Sequence, residues 1–472
     1  MLRKTKLVCT IGLASSPSWI IEKMIQAGMN VARLNFSHGT REEHAEVIRT
    51  IRDFSTALDI PVAILIDLPG PKPRTGRLKE KRVYIKEGDN FSLTSERVLG
   101  DERRISVDFP AFFNDIRAGD FIFLNDGAIQ LKVICPTNSE VKCRVVIGGL
   151  LSNNKGINVP GVRLNVPSIT SEDLKHLAFA VEQGVDFVAI SFVHSVADVL
   201  EIKKILQKKR ANIPIIAKIE KREGVNDIDR IIAEADGIMI ARGDLGIEIP
   251  LKRVPIVQKE IIRKCNQAGK PVIVATQMLE SMVGATRPTR AEVSDVANAI
   301  FDLTDAVMLS GETAVGKYPV RAVKTMASII TETEEVLPYE HILREKSEQV
   351  TAQTDDAISY AACHMSQQLG AACIVAYTSS GSTALRVSKY RPEVPILAIT
   401  PNASIVRRLA LSWGIEPHLA TEPSNVDIMF QEAAQLALQN GIAKRGKLVI
   451  ITAGIPMGTP GSTNVVKVHR VE

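Results

Sequence analysis

The sequence is poor in the residues that mark several common protein classes. Aromatic side chains make up only 4% of the chain, too few for the stacking platforms that hold single-stranded nucleic acid. Neither sign of charge dominates: 58 Lys and Arg face 53 Asp and Glu, a net +5 over 472 residues with no basic arm. So dilute a field does not gather a polyanion, and nucleic acid is not expected as a partner. The six cysteines (Cys9, Cys135, Cys143, Cys265, Cys363, Cys373) include no CxxC pair. That argues against a disulfide framework or a zinc site and for free thiols in a reducing compartment. The eight histidines form neither HxxxH nor HExxH, so a histidine-held metal is not expected. Also missing are an apolar run long enough to span a bilayer and, after Met1-Leu-Arg-Lys-Thr-Lys6, the apolar core of a signal peptide. A cytoplasmic protein with no membrane partner is expected.

What remains is a chain with 45% hydrophobic and 24% charged residues, ample for folded cores in about three domains. Short apolar runs alternate with amphipathic segments from the start. Leu7–Ile11 reads as a strand, followed by a helix opening at Ser16-Pro17, burying Ile20, Ile21, Met24 and Ile25 and stopping at Gly28. Val31–Phe36, a helix over 42–58 and the strand Val62–Leu68 continue the rhythm until Pro69-Gly70-Pro71 breaks it. From 83 to 150 no helical period is visible, and short strands alternate with turns, as in the hairpin Phe121–Leu124, Asn125-Asp126-Gly127, Ile129–Ile134. The βα rhythm resumes at Thr170-Ser171-Glu172-Asp173, a helix start with acids in its first turn. Strands follow at Phe187–Phe192, Ile215–Ile219, Gly237–Ala241, Val272–Ala275 and Ala306–Leu309. Three strands before the insertion and five after it predict a (β/α)8 TIM barrel carrying an inserted all-β domain. After 344–356 a smaller parallel α/β sheet is expected from strands at Cys373–Tyr377, Ile396–Ile399 and Leu448–Thr452. The resulting division is 1–69 with 164–345 for the barrel, 70–163 for the insertion and 346–472 for a C-terminal three-layer α/β domain.

Polar residues recur where the barrel strands end: Arg33, Asn35 and Ser37; Asp67; Ser191; Lys218 and Glu220; Arg242 and Asp244; Thr276; Ser310 and Glu312. In a barrel these ends converge on one face. A helix cap or loop salt bridge accounts for any single one. It does not account for the set, because burying so many charges near one axis costs more than a fold tolerates without a ligand. Glu220 and Asp244 end neighbouring strands with a spacing that points both toward the axis, and such a pair suits Mg²⁺ with substrate oxygens completing its shell. Lys218, two residues before Glu220, shares the inward face. Beside a divalent ion, its ammonium would stabilise a transferring phosphoryl group or an enolate, and Arg33 adds a second phosphate-facing cation.

Gly311-Glu-Thr-Ala-Val-Gly316-Lys317 imitates a P-loop, yet Tyr318 stands where that motif needs Ser or Thr, and Glu312 would oppose the phosphates. The match is coincidental. A better anion cradle is Thr378-Ser379-Ser380-Gly381-Ser382-Thr383, between a strand and a helix, although an ordinary Ser/Gly-rich turn reads the same way.

At these residues the sequence resembles the pyruvate kinases over nearly its whole length. The segments that carry the likeness are Arg33-Leu-Asn-Phe-Ser-His38, Ile216-Ala-Lys218-Ile-Glu220-Lys-Arg-Glu-Gly-Val225, Ala241-Arg-Gly-Asp244-Leu-Gly, Ala275-Thr276-Gln-Met-Leu, Arg287-Pro-Thr-Arg290-Ala-Glu and Met308-Leu-Ser310-Gly-Glu312-Thr-Ala. The resemblance implies phosphoryl transfer from phosphoenolpyruvate to ADP, with Mg²⁺ or Mn²⁺ held by Glu220 and Asp244. Lys218 would stabilise the migrating group, and Arg33, Gly243, Asp244 and Thr276 would share substrate binding. Ser310 and Glu312 would belong to a proton relay, while His38, Arg74 and Lys155 would face the nucleotide. The insertion would close as a water-excluding lid, Thr378–Thr383 would take a phosphorylated effector, and the assembly would be a homotetramer.

Three departures from the family pattern bear on function. Many members read Thr-Lys-Gly-Pro-Glu after the third strand, and Asn35, Ser37, Asp67 and that Thr would hold K⁺. Here Leu68 removes an oxygen and Lys72 brings an ammonium in place of a carboxylate, so activity without K⁺ is expected. Leu13 stands in place of a proline bordering the adenine. Asn425 and Glu432 stand where a Trp and an Arg would clamp the second phosphate of fructose 1,6-bisphosphate. A carboxylate there repels phosphate, so the expected activator is a monophosphate such as AMP or a sugar monophosphate. The rival readings are a metal-dependent barrel aldolase acting on phosphoenolpyruvate or pyruvate, and a catalytically silent sugar-phosphate sensor.

Overall fold

The computed structural model describes residues 2–109, 112–162, 169–456, 461 and 463–472. Eight parallel strands form a closed barrel: Lys6–Ile11, Val31–Asn35, Ala63–Leu68, Phe187–Ile190, Ile215–Ile219, Gly237–Ala241, Val272–Ala275 and Ala306–Leu309. They pair in chain order, and the eighth closes on the first with Lys6 opposite Ala306. The third pairs directly with the fourth, Leu65 opposite Phe187, so the long insertion between them leaves the barrel intact.

Alternation along each strand decides what faces the axis. Ile215, Ala217 and Ile219 pack outward among the helices, while Ile216 joins Val8, Val31, Leu65 and Met239 inside the barrel. With a period of two, Arg33 follows Val31, Asp67 follows Leu65 and Lys218 follows Ile216 onto the inner face. Thr170 caps the helix Ser171–Glu182 with the reciprocal bonds of a capping box. Pro17 sits one residue before the helix Ser18–Gln26, at its cap.

The insertion has its own core around Phe91, Phe112, Ile122 and Leu131. Its six-stranded sheet runs in the order Ile157–Asn158, Phe121–Leu124, Ile129–Pro136, Glu140–Ile147, Asn90–Thr94, Arg104–Ser106. One short helix, Phe112–Asp115, interrupts a stretch in which the sequence shows no helical period.

The C-terminal sheet has five strands in the order Ile415–Leu419, Ile396–Thr400, Cys373–Tyr377, Leu448–Gly454, Thr463–Arg470. Separate apolar clusters on its two faces make it three-layered. It is mixed, contrary to the parallel sheet expected: Thr463–Arg470 runs antiparallel to Leu448–Gly454. The intervening segment 455–462 is too short for a parallel crossover, which takes about a dozen residues or more. This domain docks on the end of the barrel where the strands begin. Leu411 enters the barrel core, Lys6 Nζ donates to the Ile415 carbonyl at 2.7 Å, and Arg391 pairs with Asp305 at 2.8 Å.

Candidate functional site

The opposite end of the barrel, where the strands finish, holds a buried network of charge. Lys218 Nζ lies 3.1 Å from Asp67 Oδ1 and 3.0 Å from Glu220 Oε1, and donates to Ser191 Oγ at 2.7 Å. Arg33 donates from Nε to Asp67 Oδ2 at 2.7 Å and from Nη1 to Thr10 Oγ1 at 2.9 Å. Strand alternation alone therefore brings Arg33, Asp67 and Lys218 together, and Glu220 continues the phase past the fifth strand.

Asp244 arrives by another route. It lies in the first turn of the helix Arg242–Glu248, so the helix, and not strand alternation, sets its direction. Its Oδ1 accepts from Lys72 Nζ at 2.7 Å. Lys72 thus sits against this carboxylate and not among Asn35, Ser37 and Asp67. The reason is charge balance: Asp67 already has Arg33, Lys218 and Ser191 as donors, while Asn35 Oδ1 is used by the Ser37 N–H at 3.1 Å.

The proton affinities follow from this arrangement. Burial works against the Lys218 charge, but the carboxylates of Asp67 and Glu220 outweigh it and hold its proton above the ordinary lysine range. Burial likewise opposes the Asp67 charge, and Lys218 with Arg33 overrides it, leaving that carboxyl below its usual value. Glu220 moves the other way, raised by burial and by Asp244 in spite of Lys218. At Asp244 burial is overcome chiefly by Lys72, and the carboxyl lies low. Arg33, Lys218 and Lys72 then balance Asp67, Glu220 and Asp244. Any anion entering this neutral set brings surplus negative charge, which an added cation would offset.

The donor set fits such a cation. Glu220 is oriented by the Phe192 N–H at 2.6 Å to its Oε2, and its neighbour Asp244 offers a second hard-oxygen donor. Among the described residues no group of three or more His, Cys, Asp or Glu could hold a metal. Mg²⁺ is commonly held by one or two carboxylates together with water and substrate oxygens, and Glu220 and Asp244 could hold an ion in that way.

Thr276 and Gly243 meet at the same rim: the Gly243 N–H donates to Thr276 Oγ1 at 2.8 Å. Thr276 has φ +69, a left-handed conformation uncommon for a β-branched residue. Arg242 holds it there, donating to the carbonyls of Thr276 and Gln277 at 2.9 and 3.1 Å while paired with Asp295 at 2.7 Å. Glu312, fully buried, accepts from the backbone N–H groups of Ser310 and Leu279 at 2.7 and 3.0 Å. Among the described residues the buried Ser310 Oγ has no hydrogen-bond partner.

His38, Arg74 and Lys155 stand apart. His38 is exposed, its carbonyl 2.9 Å from His44 Nε2. Arg74 bridges Gly156 within the insertion, and Lys155 bonds to Thr75, the next residue, through its N–H and carbonyl. Among the described residues none of the three bonds to the Lys218 cluster. Leu13 is 88% exposed. Sequence reasoning missed Thr10, Lys221, Glu248 and Asn158. Thr10 is in phase with Val8 on the first strand, a usable signal. Glu248 joins Lys221 of the barrel to Asn158 of the insertion, and no local pattern announces that link.

Two family descriptions match the chain: "Pyruvate kinase, barrel domain" over residues 2–323 and "Pyruvate kinase, alpha/beta domain" over residues 356–469. A pyruvate kinase of Geobacillus stearothermophilus is 49% identical over 474 residues, covering 100% of this chain and 81% of that protein. One from Staphylococcus aureus (strain MRSA252) is 47% identical, with the same two shares. The crystal structure of a pyruvate kinase from Cryptosporidium parvum superposes with a TM-score of 0.93 at 35% identity, covering 100% of this chain and 96% of that one. A closed parallel barrel with this charge network at its mouth, matched along its whole length by these relatives, belongs to the pyruvate kinase family and is a phosphotransferase.

Proposed function

We propose that the chain transfers the phosphoryl group of phosphoenolpyruvate to ADP with Mg²⁺ or Mn²⁺, needs no K⁺, and is activated by a phosphomonoester. The observation that carries this reading is the Lys218 ammonium, buried between Asp67 and Glu220 at the barrel mouth. A fixed cation in a dry site acts most strongly where negative charge builds up in the transition state. Bound at Glu220 and Asp244, the divalent ion would supply Lewis-acid neutralisation of phosphate and enolate oxygens.

The chain's own groups do the rest. Arg33 and Lys218 seat the phosphate, and Thr276 with the Gly243 backbone positions the carboxylated end. The bond between phosphorus and the enol oxygen breaks as one forms to a β-phosphate oxygen of ADP, with Lys218 following the migrating charge. The enolate then takes a proton at carbon from the side lined by Thr276, Ser310 and Glu312, giving pyruvate. His38, Arg74 and Lys155 face the nucleotide once the insertion closes over the barrel as a lid. In this reading 1–69 and 164–345 form the catalytic barrel, 70–163 the lid and 346–472 the regulatory domain. The 163/164 junction lies outside the described residues. A cytoplasmic homotetramer is part of the same proposal.

The effector reading rests on the loop Thr378–Thr383. Gly381, at φ +91, is the residue before the helix Ser382–Lys389, and its N–H donates to Thr378 Oγ1 at 2.8 Å. Hydroxyls and backbone N–H groups there suit one phosphate. Among the described residues the surrounding cleft contains Glu422 but no Lys or Arg. Glu432 lies on the adjoining helix near Tyr377, and Asn425 is spent as that helix's cap. A second phosphate would meet carboxylates.

The test is direct. Phosphoenolpyruvate, ADP and Mg²⁺ should yield pyruvate and ATP in equal amounts. In the same assay AMP or a hexose or pentose monophosphate should activate at lower concentration than fructose 1,6-bisphosphate. Absence of ATP would favour the aldolase or silent-sensor readings. Tighter activation by the bisphosphate would overturn the effector assignment.

A further inference from the structure

Lys72 is a cation of the site that takes no step in the phosphoryl transfer above, and its surroundings are built around it. Its stem lies so close to Gly156 of the insertion that a Cβ there would come within 2.6 Å of Lys72 Cε. Its ammonium stands 5.5 Å from the centre of the Phe192 ring, within cation–π range. The Phe192 N–H orients Glu220. One lysine therefore packs on the residue that positions the first candidate metal carboxylate while it neutralises the second, Asp244, at 2.7 Å. The pair is largely shielded, with side chains 14% and 27% exposed, so water competes for it poorly.

We propose that Lys72 is a built-in competitor of the divalent cation. Its ammonium holds Asp244 Oδ1 and opposes ligation by that carboxylate until it is displaced. This rests on reading Glu220 and Asp244 as the metal carboxylates. Lys72 holds Oδ1 of Asp244, and an ammonium and a divalent ion on one carboxylate repel each other at close range, so the ion pair and metal ligation oppose each other. Because Lys72 belongs to the insertion and Asp244 to the barrel, breaking their ion pair also removes a contact between the two. Metal arrival is thereby tied to the insertion's freedom to move.

An apparent dissociation constant rises as the fraction of binding-competent protein falls. If the Lys72–Asp244 pair is formed about nine-tenths of the time, removing it tightens metal binding about tenfold. The experiment is Mn²⁺ titration of the substrate-free protein, read by electron paramagnetic resonance of the free ion, for wild type and Lys72→Met. Methionine keeps much of the stem packing and removes the charge. About tenfold tighter binding is expected, and unchanged or weaker binding overturns the proposal.

Lys221→Met is the control for field alone, since Lys221 influences Asp244 but pairs with Glu248. If it tightens binding as much as Lys72→Met, general repulsion and not competition is at work, and the proposal fails. Asp244→Asn separates the two readings. If it leaves Mn²⁺ affinity unchanged, the metal assignment falls and the competitor falls with it. If it removes binding while Lys72→Met changes nothing, only the competitor falls.

Discussion

Lys218→Met is expected to lower turnover by about a thousandfold or more, the scale on which single preorganised electrostatic groups act. The side chain is 10% exposed and its charge is enforced by Asp67 and Glu220, so no solvent cation replaces it at low cost. The substitution divides its former partners unequally. Asp67 keeps Arg33, whereas Glu220 keeps only the Phe192 N–H among the contacts described above. A buried carboxylate that loses its cation costs about 3–5 kcal/mol unless it is neutralised. Glu220, already raised by burial, will therefore rise further. Metal ligation requires the carboxylate form, so Mn²⁺ binding by the variant should survive at high pH. It should weaken on acidification at a higher pH than in wild type. A steady-state assay together with Mn²⁺ titrations across pH reads both effects. Near-normal turnover would remove Lys218 from the chemistry, and an unshifted binding profile would mean that Lys218 does not control Glu220.

The inner face of the barrel was legible because it depends on the most robust sequence signal, alternation along a strand. Arg33, Asp67 and Lys218 stand two residues from Val31, Leu65 and Ile216, each of which faces the axis. Their convergence needs only closure of the barrel. Legibility declines where a turn sets the direction. Asp244 owes its position to the first turn of a helix, and Thr276 to a left-handed backbone held by Arg242 from a neighbouring loop. Both residues were singled out on sequence, but the reason they reach the site was not readable.

Two edge strands were missed for physical reasons. Ile415–Leu419 contains Pro417, which argues against a strand except at a sheet edge, where this one lies. Thr463–Arg470 is only partly buried along most of its length, so its apolar signal is weak. The partner of Lys72 was beyond sequence reasoning altogether. A flexible lysine among three carboxylates goes to the one whose charge is least compensated, and that balance exists only in three dimensions.

The last expectation concerns the monovalent ion. Wild type should turn over at the same rate in K⁺-free, Na⁺-free buffer as in K⁺. The oxygens that a K⁺ ion would need are depleted or engaged: Leu68 offers no side-chain oxygen, its carbonyl accepts from Ser191 Oγ at 2.8 Å, and Asp67 is held by Arg33 and Lys218. Lys72→Glu reverses the local charge and should make the enzyme depend on added cation, with turnover in K⁺-free buffer falling about a hundredfold. That corresponds to the lower end of the roughly 2–5 kcal/mol that follows loss of one member of a buried charge pair. K⁺ should restore part of the loss, and more of it in the double variant Leu68→Thr with Lys72→Glu, where a hydroxyl rejoins the ligand set. These outcomes are independent of metal competition. Mn²⁺ affinity in the substrate-free protein reports on the Lys72–Asp244 pair, while K⁺ rescue of turnover reports on where the charge is needed during catalysis. A wild-type enzyme that is silent until K⁺ is added would show that the tethered ammonium does not take the ion's place.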